Sequence, residues 1–229
     1  MLRLPSHRLE TIIKSKKNRR GDETPLVKLS KSLSYVLRHH AKDEGLVIRE
    51  DGYVKLDDLL KLPRFKRTTF EDIKFVVDNN DKKRFTLTQE VSDDDASSWW
   101  IRANQGHSIE VKNLELEEIT DPLQFPEVIH GTYLRNWKNI ESEGLSKMAR
   151  NHIHLATGLF GTESVISGMR KNCDLFIYIN LSKAMEDGIR FFRSANEVIL
   201  TEGVNGLLNP KYFLKVVDKY GKVIEQANS

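Results

Sequence analysis

The stretch DPLQFP, residues 121–126, separates two patterns that no single uniform architecture satisfies. Two prolines within six residues remove backbone donors and bias the chain toward extended or turned geometry, so the segment reads as a linker. Before it, apolar residues recur at helical spacing; after it, they gather in short strand-like runs.

In the first part, Thr24 before Pro25 is a helix start, and Leu29, Leu33, Val36 and Leu37 then share one helix face. Asp51-Gly52 marks a turn, YVKL a short strand and DDLLKL a second short helix. Thr69 and Asp72 form a capping box ahead of the stripe Phe70, Ile73, Val76 and Val77. KRFTL (83–87) and SWWIR (98–102) alternate as strands around an acidic SDDDASS turn. Three helices and a hairpin predict a winged-helix-like unit over 24–120, related to helix-turn-helix folds that dock nucleic acid. The second part, 121–229, is strand-rich: EVIH, NHIHLA, LFIYINL, NEVILT and YFLKVV. Helical patterns interrupt it at LRNWKNIESEG, which Gly144 ends, and at LFGTESVISGM. Without strict βαβ alternation the fold class is α+β.

A net charge of only +3 means that any nucleic-acid site comes from local clustering, not from the whole molecule. Cys173 is the only cysteine, so an internal disulfide is excluded, a reducing compartment fits, and the thiol reads as a small packed residue. No apolar run reaches bilayer length. The basic tail 1–23, with KSKKNRR, reads as a nuclear signal, an RNA-grasping arm, a transit peptide or a solvated tail. A monomer in the nucleus or cytoplasm is expected. GxGxxG and GxxxxGK[ST] are absent, so neither a Rossmann site nor a P-loop is supported. His152 and His154 are two apart, on one face of an apparent strand, but no Cys pair or HExxH completes a zinc set, and no metal is expected.

Four patches carry the chemistry. LSYVLRHH ends an apolar helix in Arg38, His39 and His40, three groups suited to an anion; NDKKRF holds Arg84. WIRANQGHS holds Arg102, Gln105, His107 and Ser108, and the fourth patch runs from IHGT (129–132) to MARNHIHLA (148–156). Each has a plain alternative. Arg38 suits a helix C-terminus by its charge, Arg84 a solvated strand, His130 a core bonded to backbone, and Arg150 a polar loop.

Taken in order, LSKSLSYVLRHHAKDEGL, DGYVKLDDLL, NDKKRF, RANQGHS, IHGT, ARNHIHLA and SGMR resemble the RNA 2′-phosphotransferase family (Tpt1/KptA), from about Leu29 to Thr201. The resemblance implies an RNA substrate with an internal 2′-phosphate at a tRNA splice junction, and NAD⁺ as cosubstrate. The 2′-phosphate attacks the nicotinamide ribose and nicotinamide leaves. The 2″-hydroxyl then attacks phosphorus, giving 2′-OH RNA and ADP-ribose 1″,2″-cyclic phosphate. The second domain is then expected to be an ADP-ribosyltransferase-like split β-sheet that binds NAD, and the first to hold RNA.

By motif, the family's essential Arg-His-Arg-Arg set falls on Arg38, His39, Arg84 and Arg150. Arginine matches phosphate oxygens with a planar fork, and histidine titrates near neutrality. His39 suits activating the 2″-hydroxyl or protonating the departing 2′-oxygen; both remain open. The resemblance places NAD against His130, Gly131, Thr132, His154 and Leu155, with Arg170 and Arg193 toward pyrophosphate or adenosine. Val198 aligns with the position where many ADP-ribosyltransferases have a catalytic glutamate, which leaves Glu197 as a surface residue. Arg102 and His107 join Arg38, Arg84 and Arg150 as expected RNA contacts, and the phosphate is expected in a cleft between the domains. Trp99 and Trp100 point to opposite strand faces, one toward core and one toward a base or the wing. Two rivals stand: an ADP-ribosyltransferase that stops after the first step, with Glu197 catalytic, and a non-enzymatic winged-helix RNA-binding protein.

Overall fold

A computed structural model describes residues 23–91, 97–159, 168–170 and 172–224. The basic tail up to residue 22, most of the SDDDASS turn and most of LFGTESVISGM lie outside these residues. Helices and antiparallel sheets both contribute, as the α+β reading expects. Among the described residues no helix is long and apolar enough to cross a membrane.

The chain forms two compact units. The first comprises residues up to Asn80 and Arg84–Ala103; the second comprises Asp81–Lys83 and everything from Asn104. Residues 104–120, assigned with the first part from sequence, group with the second unit. The reason is local. Asn104 donates from its side chain to the Lys83 carbonyl, and the backbone N–H of Asn151 donates to the His107 carbonyl. Leu116–Glu118 then pairs with a strand of the second unit.

In the first unit, α1 (Pro25–Tyr35) starts at Thr24, whose hydroxyl accepts the Val27 N–H. Leu33, together with Val36 and Leu37 just beyond the helix, is fully buried, each such side chain contributing roughly 1.5–3 kcal/mol. β1 (Val54–Lys55) leads into α2 (Leu56–Lys61). α3 (Phe70–Asp78) opens with the expected capping box: Thr69 N–H donates to Asp72 Oδ2, and Asp72 N–H to Thr69 Oγ1. Ile73 and Val76 from its stripe are buried. β2 (Phe85–Val91) and β3 (Ser97–Ala103) complete a sheet of order β1-β3-β2. Trp99 packs on Phe70, and Trp100 lies under the Arg49 guanidinium.

The second unit holds β4 (Leu116–Glu118), β5 (Ile129–Thr132), α4 (Trp137–Glu143), β6 (Leu145–Ser146), β7 (Ile153–Leu155), β8 (Leu175–Ile179), α5 (Leu181–Glu186), β9 (Phe192–Ser194), β10 (Ile199–Thr201), β11 (Leu207–Leu208) and β12 (Phe213–Asp218). They form sheets of order β4-β9-β10-β7, β12-β8-β5 and β11-β6. An isolated bridge from Ile129 to Ala156 joins β5 to the chain just after β7. That bridge sets the strand of IHGT beside the strand of IHLA. A core of Leu155, Leu175, Ile177, Phe191, Ile199 and Leu208 fills the interior. DPLQFP, read as a linker, contains a single 3-10 turn over Pro122–Gln124, capped by Asp121.

Candidate active site

The helix expected to continue through Arg38 changes pitch. After α1 the backbone widens into a π turn over Val36–His40, which carries Arg38, His39 and His40. Such wide turns are frequent at functional sites because they redirect side chains out of the α-helical register. Arg38 and His39 are half-buried, and Nε and Nη2 of Arg38 are withdrawn from water. His40 is engaged differently: its Nδ1 lies 2.9 Å from Asp43, and its ring stacks on Tyr35 at 4.0 Å. The three basic groups that the sequence ran together are therefore not equivalent. Arg84 precedes β2, after Lys83, whose φ of 42° is left-handed. The Arg84 backbone N–H and Nη1 both donate to the Asn80 side-chain oxygen, at 3.3 and 3.1 Å.

In the second unit, Arg150 sits in the loop between β6 and β7. Lys147 N–H donates to the Gly206 carbonyl and Arg150 N–H to the Lys147 carbonyl. Met148, two residues before Arg150, is left-handed at φ 54°. Arg150 is exposed, yet its pKa is pushed below the ordinary arginine value, first by partial desolvation and then by the Arg170 charge. Among the described residues neither Arg150 nor Arg170 has a carboxylate partner. Other arginines of the unit do: Arg190 pairs with Glu118, and Arg193 with Glu117 and Glu197. Arg150 also acts on His130, whose pKa burial pushes down and the Arg150 charge lowers further. Its Nδ1 faces the His154 carbonyl at 3.0 Å; a carbonyl only accepts, so Nδ1 carries the proton and Nε2 keeps a lone pair. The unit therefore gathers one neutral imidazole and two guanidinium groups that have no carboxylate partner among the described residues, an arrangement that attracts anions.

The remaining expected residues fall in distinct places. Gly131 has no room for a side chain: a Cβ would meet Met169 Cγ at 2.3 Å and Cys173 Sγ at 3.1 Å. Thr132 is buried and its hydroxyl accepts from Asn136. His154 and Leu155 are buried in β7, and Val198 is 0% exposed with its N–H donating to the Ser194 hydroxyl. Val198 and Leu155 thus offer packing rather than an open surface. Arg193, expected toward pyrophosphate or adenosine, is spanned by two carboxylates, and Glu197 is tied to it at 3.3 Å. Arg102 is only 3% exposed; it lies over Tyr53 and donates to the Asp51 carbonyl. His107 is buried as well. Both side chains therefore lie largely beneath the surface. Among the described residues no group of three or more His, Cys, Asp or Glu side chains is placed to hold a metal. Asn80, which holds Arg84, is not among the residues expected from sequence, although it stands in NDKKRF just past a helix end.

The His130 geometry gives a pH expectation. Its folded pKa lies below the ordinary value of 6.5, so the unfolded chain binds a proton that the native state refuses. Stability is full above about pH 6.5 and falls as pH drops below it, by at most about 1.4 kcal/mol per pH unit for one group. His152, also pushed down by burial, adds in the same sense. Unfolding midpoints from pH 7.5 to 5 should decline less steeply in His130→Asn, which keeps a donor for the His154 carbonyl. An unchanged slope removes His130 as a source.

A model of the RNA 2′-phosphotransferase, Tpt1 / KptA family matches residues 24–203. The chain is 52% identical over 204 residues to a putative tRNA 2′-phosphotransferase of Schizosaccharomyces pombe, covering 89% of this chain and 54% of that protein. It is 51% identical over 197 residues to tRNA 2′-phosphotransferase 1 of Danio rerio, covering 85% and 86%. Against the tRNA 2′-phosphotransferase of Saccharomyces cerevisiae the identity is 41% over 199 residues, covering 82% and 84%. The chain thus spans about half the length of its S. pombe relative and most of the other two.

Proposed function

We propose, from the premise that this chain belongs to the RNA 2′-phosphotransferase (Tpt1/KptA) family, that it removes an internal 2′-phosphate from spliced tRNA in an NAD-dependent transfer. The observation that carries the reading is the grouping of Arg150, Arg170 and His130, in which the Arg150 charge acts on both of the others and no carboxylate among the described residues pairs with either arginine. An RNA phosphate monoester and the NAD pyrophosphate are both anions that such a cluster favours. When bound, NAD⁺ supplies the ADP-ribose that accepts the phosphate, leaving nicotinamide, 2′-OH RNA and ADP-ribose 1″,2″-cyclic phosphate.

Arg38, Arg84 and Arg150 hold the phosphate oxygens and stabilise the charge that develops at phosphorus. Arg170 and the lone pair of His130 Nε2 hold the dinucleotide, the latter by accepting from a ribose hydroxyl. His39 handles the proton, at the 2″-hydroxyl or at the departing 2′-oxygen. The first unit, winged-helix-like in this reading, serves RNA; the second, ADP-ribosyltransferase-like, serves NAD. This reading gives Glu197, which pairs with Arg193, no part in the chemistry. That pairing gives no support to the rival in which it acts as a catalytic glutamate.

The test uses purified full-length protein and a short RNA with one internal 2′-phosphate, with and without NAD⁺. Loss of the 2′-phosphate only when NAD⁺ is present is expected. Loss without NAD⁺, or no loss with it, overturns the reading.

A further inference from the structure

Asn80 lies one residue beyond Asn79, the cap of α3, and its side chain is bonded at both ends. The oxygen accepts two hydrogen bonds from one residue, the backbone N–H of Arg84 at 3.3 Å and Arg84 Nη1 at 3.1 Å. The amide nitrogen donates to Ser30 Oγ on α1 at 3.2 Å. One amide therefore fixes both the base and the head of Arg84. It also ties that arginine to the helix that runs on into the π turn carrying Arg38 and His39. All of these residues belong to the first unit.

The chemistry of the acceptor matters. A carboxylate at this position would accept the same two bonds but would compensate the guanidinium charge. The asparagine oxygen orients the fork without itself adding a negative charge beside it. The half-buried setting keeps Asn80 from exchanging these bonds freely with water. An arginine held in this way meets an anion without first losing the rotamer freedom of a long side chain.

We propose that Asn80 is a positioning residue for recognition of the RNA 2′-phosphate, acting through Arg84. The inference rests on the function proposed above. It predicts a coupling that an ordinary structural hydrogen bond does not produce.

The experiment measures Kd for one RNA oligonucleotide with a single internal 2′-phosphate and for the same oligonucleotide without it, using the full chain. The ratio of the two constants reads phosphate recognition alone. Asn80→Ala is expected to lower that ratio about tenfold, and Arg84→Ala by more. The double variant should match Arg84→Ala within about twofold, because residues acting through one another are not additive. Asn79→Ala removes a donor to the Phe75 carbonyl at the end of the same helix and should leave the ratio unchanged. If Asn80→Ala leaves the ratio intact, or lowers it equally in the Arg84→Ala background, the positioning role is overturned. Should Asn80→Ala not fold, Ser30→Ala tests the same tie. It is expected to lower the ratio about two- to threefold, and only while Arg84 is present; equal falls in both backgrounds overturn the proposal. A wild-type protein that does not distinguish the two RNAs sinks the functional reading itself, before Asn80 is at issue.

Discussion

Arg150→Ala should lower the single-turnover rate of 2′-phosphate loss from RNA by about 10³-fold, the scale on which a transition-state arginine acts in phosphoryl transfer. Stability should change by no more than about 0.5 kcal/mol, because Arg150 is exposed and has no carboxylate partner among the described residues. The same lack of a partner makes the guanidinium available to an anion, so the two expectations share one cause. Arg150→Lys keeps the charge but not the planar fork, and should fall between wild type and alanine. Thermal unfolding beside the rate measurement separates the cases. A rate within tenfold of wild type, in a folded Arg150→Ala protein, removes Arg150 from the phosphate clamp.

The second large effect belongs to Gly144, where α4 ends and the chain turns into β6. Its φ of 98° and ψ of −178° lie in a region essentially reserved for glycine. A Cβ there would stand 2.4 Å from the Leu208 carbonyl oxygen, a backbone atom of the pairing strand β11. Gly144→Ala should therefore cost about 1–3 kcal/mol in backbone strain and a similar amount in overpacking. The consequence reaches the site, because β6 leads directly into the loop that carries Arg150. Chemical denaturation should show the loss of stability, and phosphate removal should fall even at temperatures where the variant remains folded. Wild-type stability in Gly144→Ala would contradict this account of the turn.

What was legible in the sequence was what local chemistry writes there. The Thr69–Asp72 box and the Thr24 cap are bonds between near neighbours, so they appear in the structure as read. The strands β6, β9 and β11 are two or three residues long and exist through pairing with distant segments; no periodicity announces them. The π turn is equally silent, since the apolar spacing up to Leu37 suits an α-helix. The motifs located Arg38, Arg84 and Arg150 but not their company. That Arg193 is spanned by Glu117 and Glu197 depends partly on β4 pairing with β9, more than 70 residues apart in sequence. Arg102 is buried and lies over Tyr53, a residue far from it in sequence. Burial of charged motif residues is a tertiary property, so the sequence does not announce it.

The most direct test of the central claim is to identify the products formed from 2′-phosphorylated RNA and NAD⁺ by mass spectrometry. The account predicts 2′-OH RNA, free nicotinamide and ADP-ribose 1″,2″-cyclic phosphate in equal amounts. RNA that retains its phosphate joined to ADP-ribose as the final product would contradict it, and would make this chain an ADP-ribosyltransferase that stops halfway.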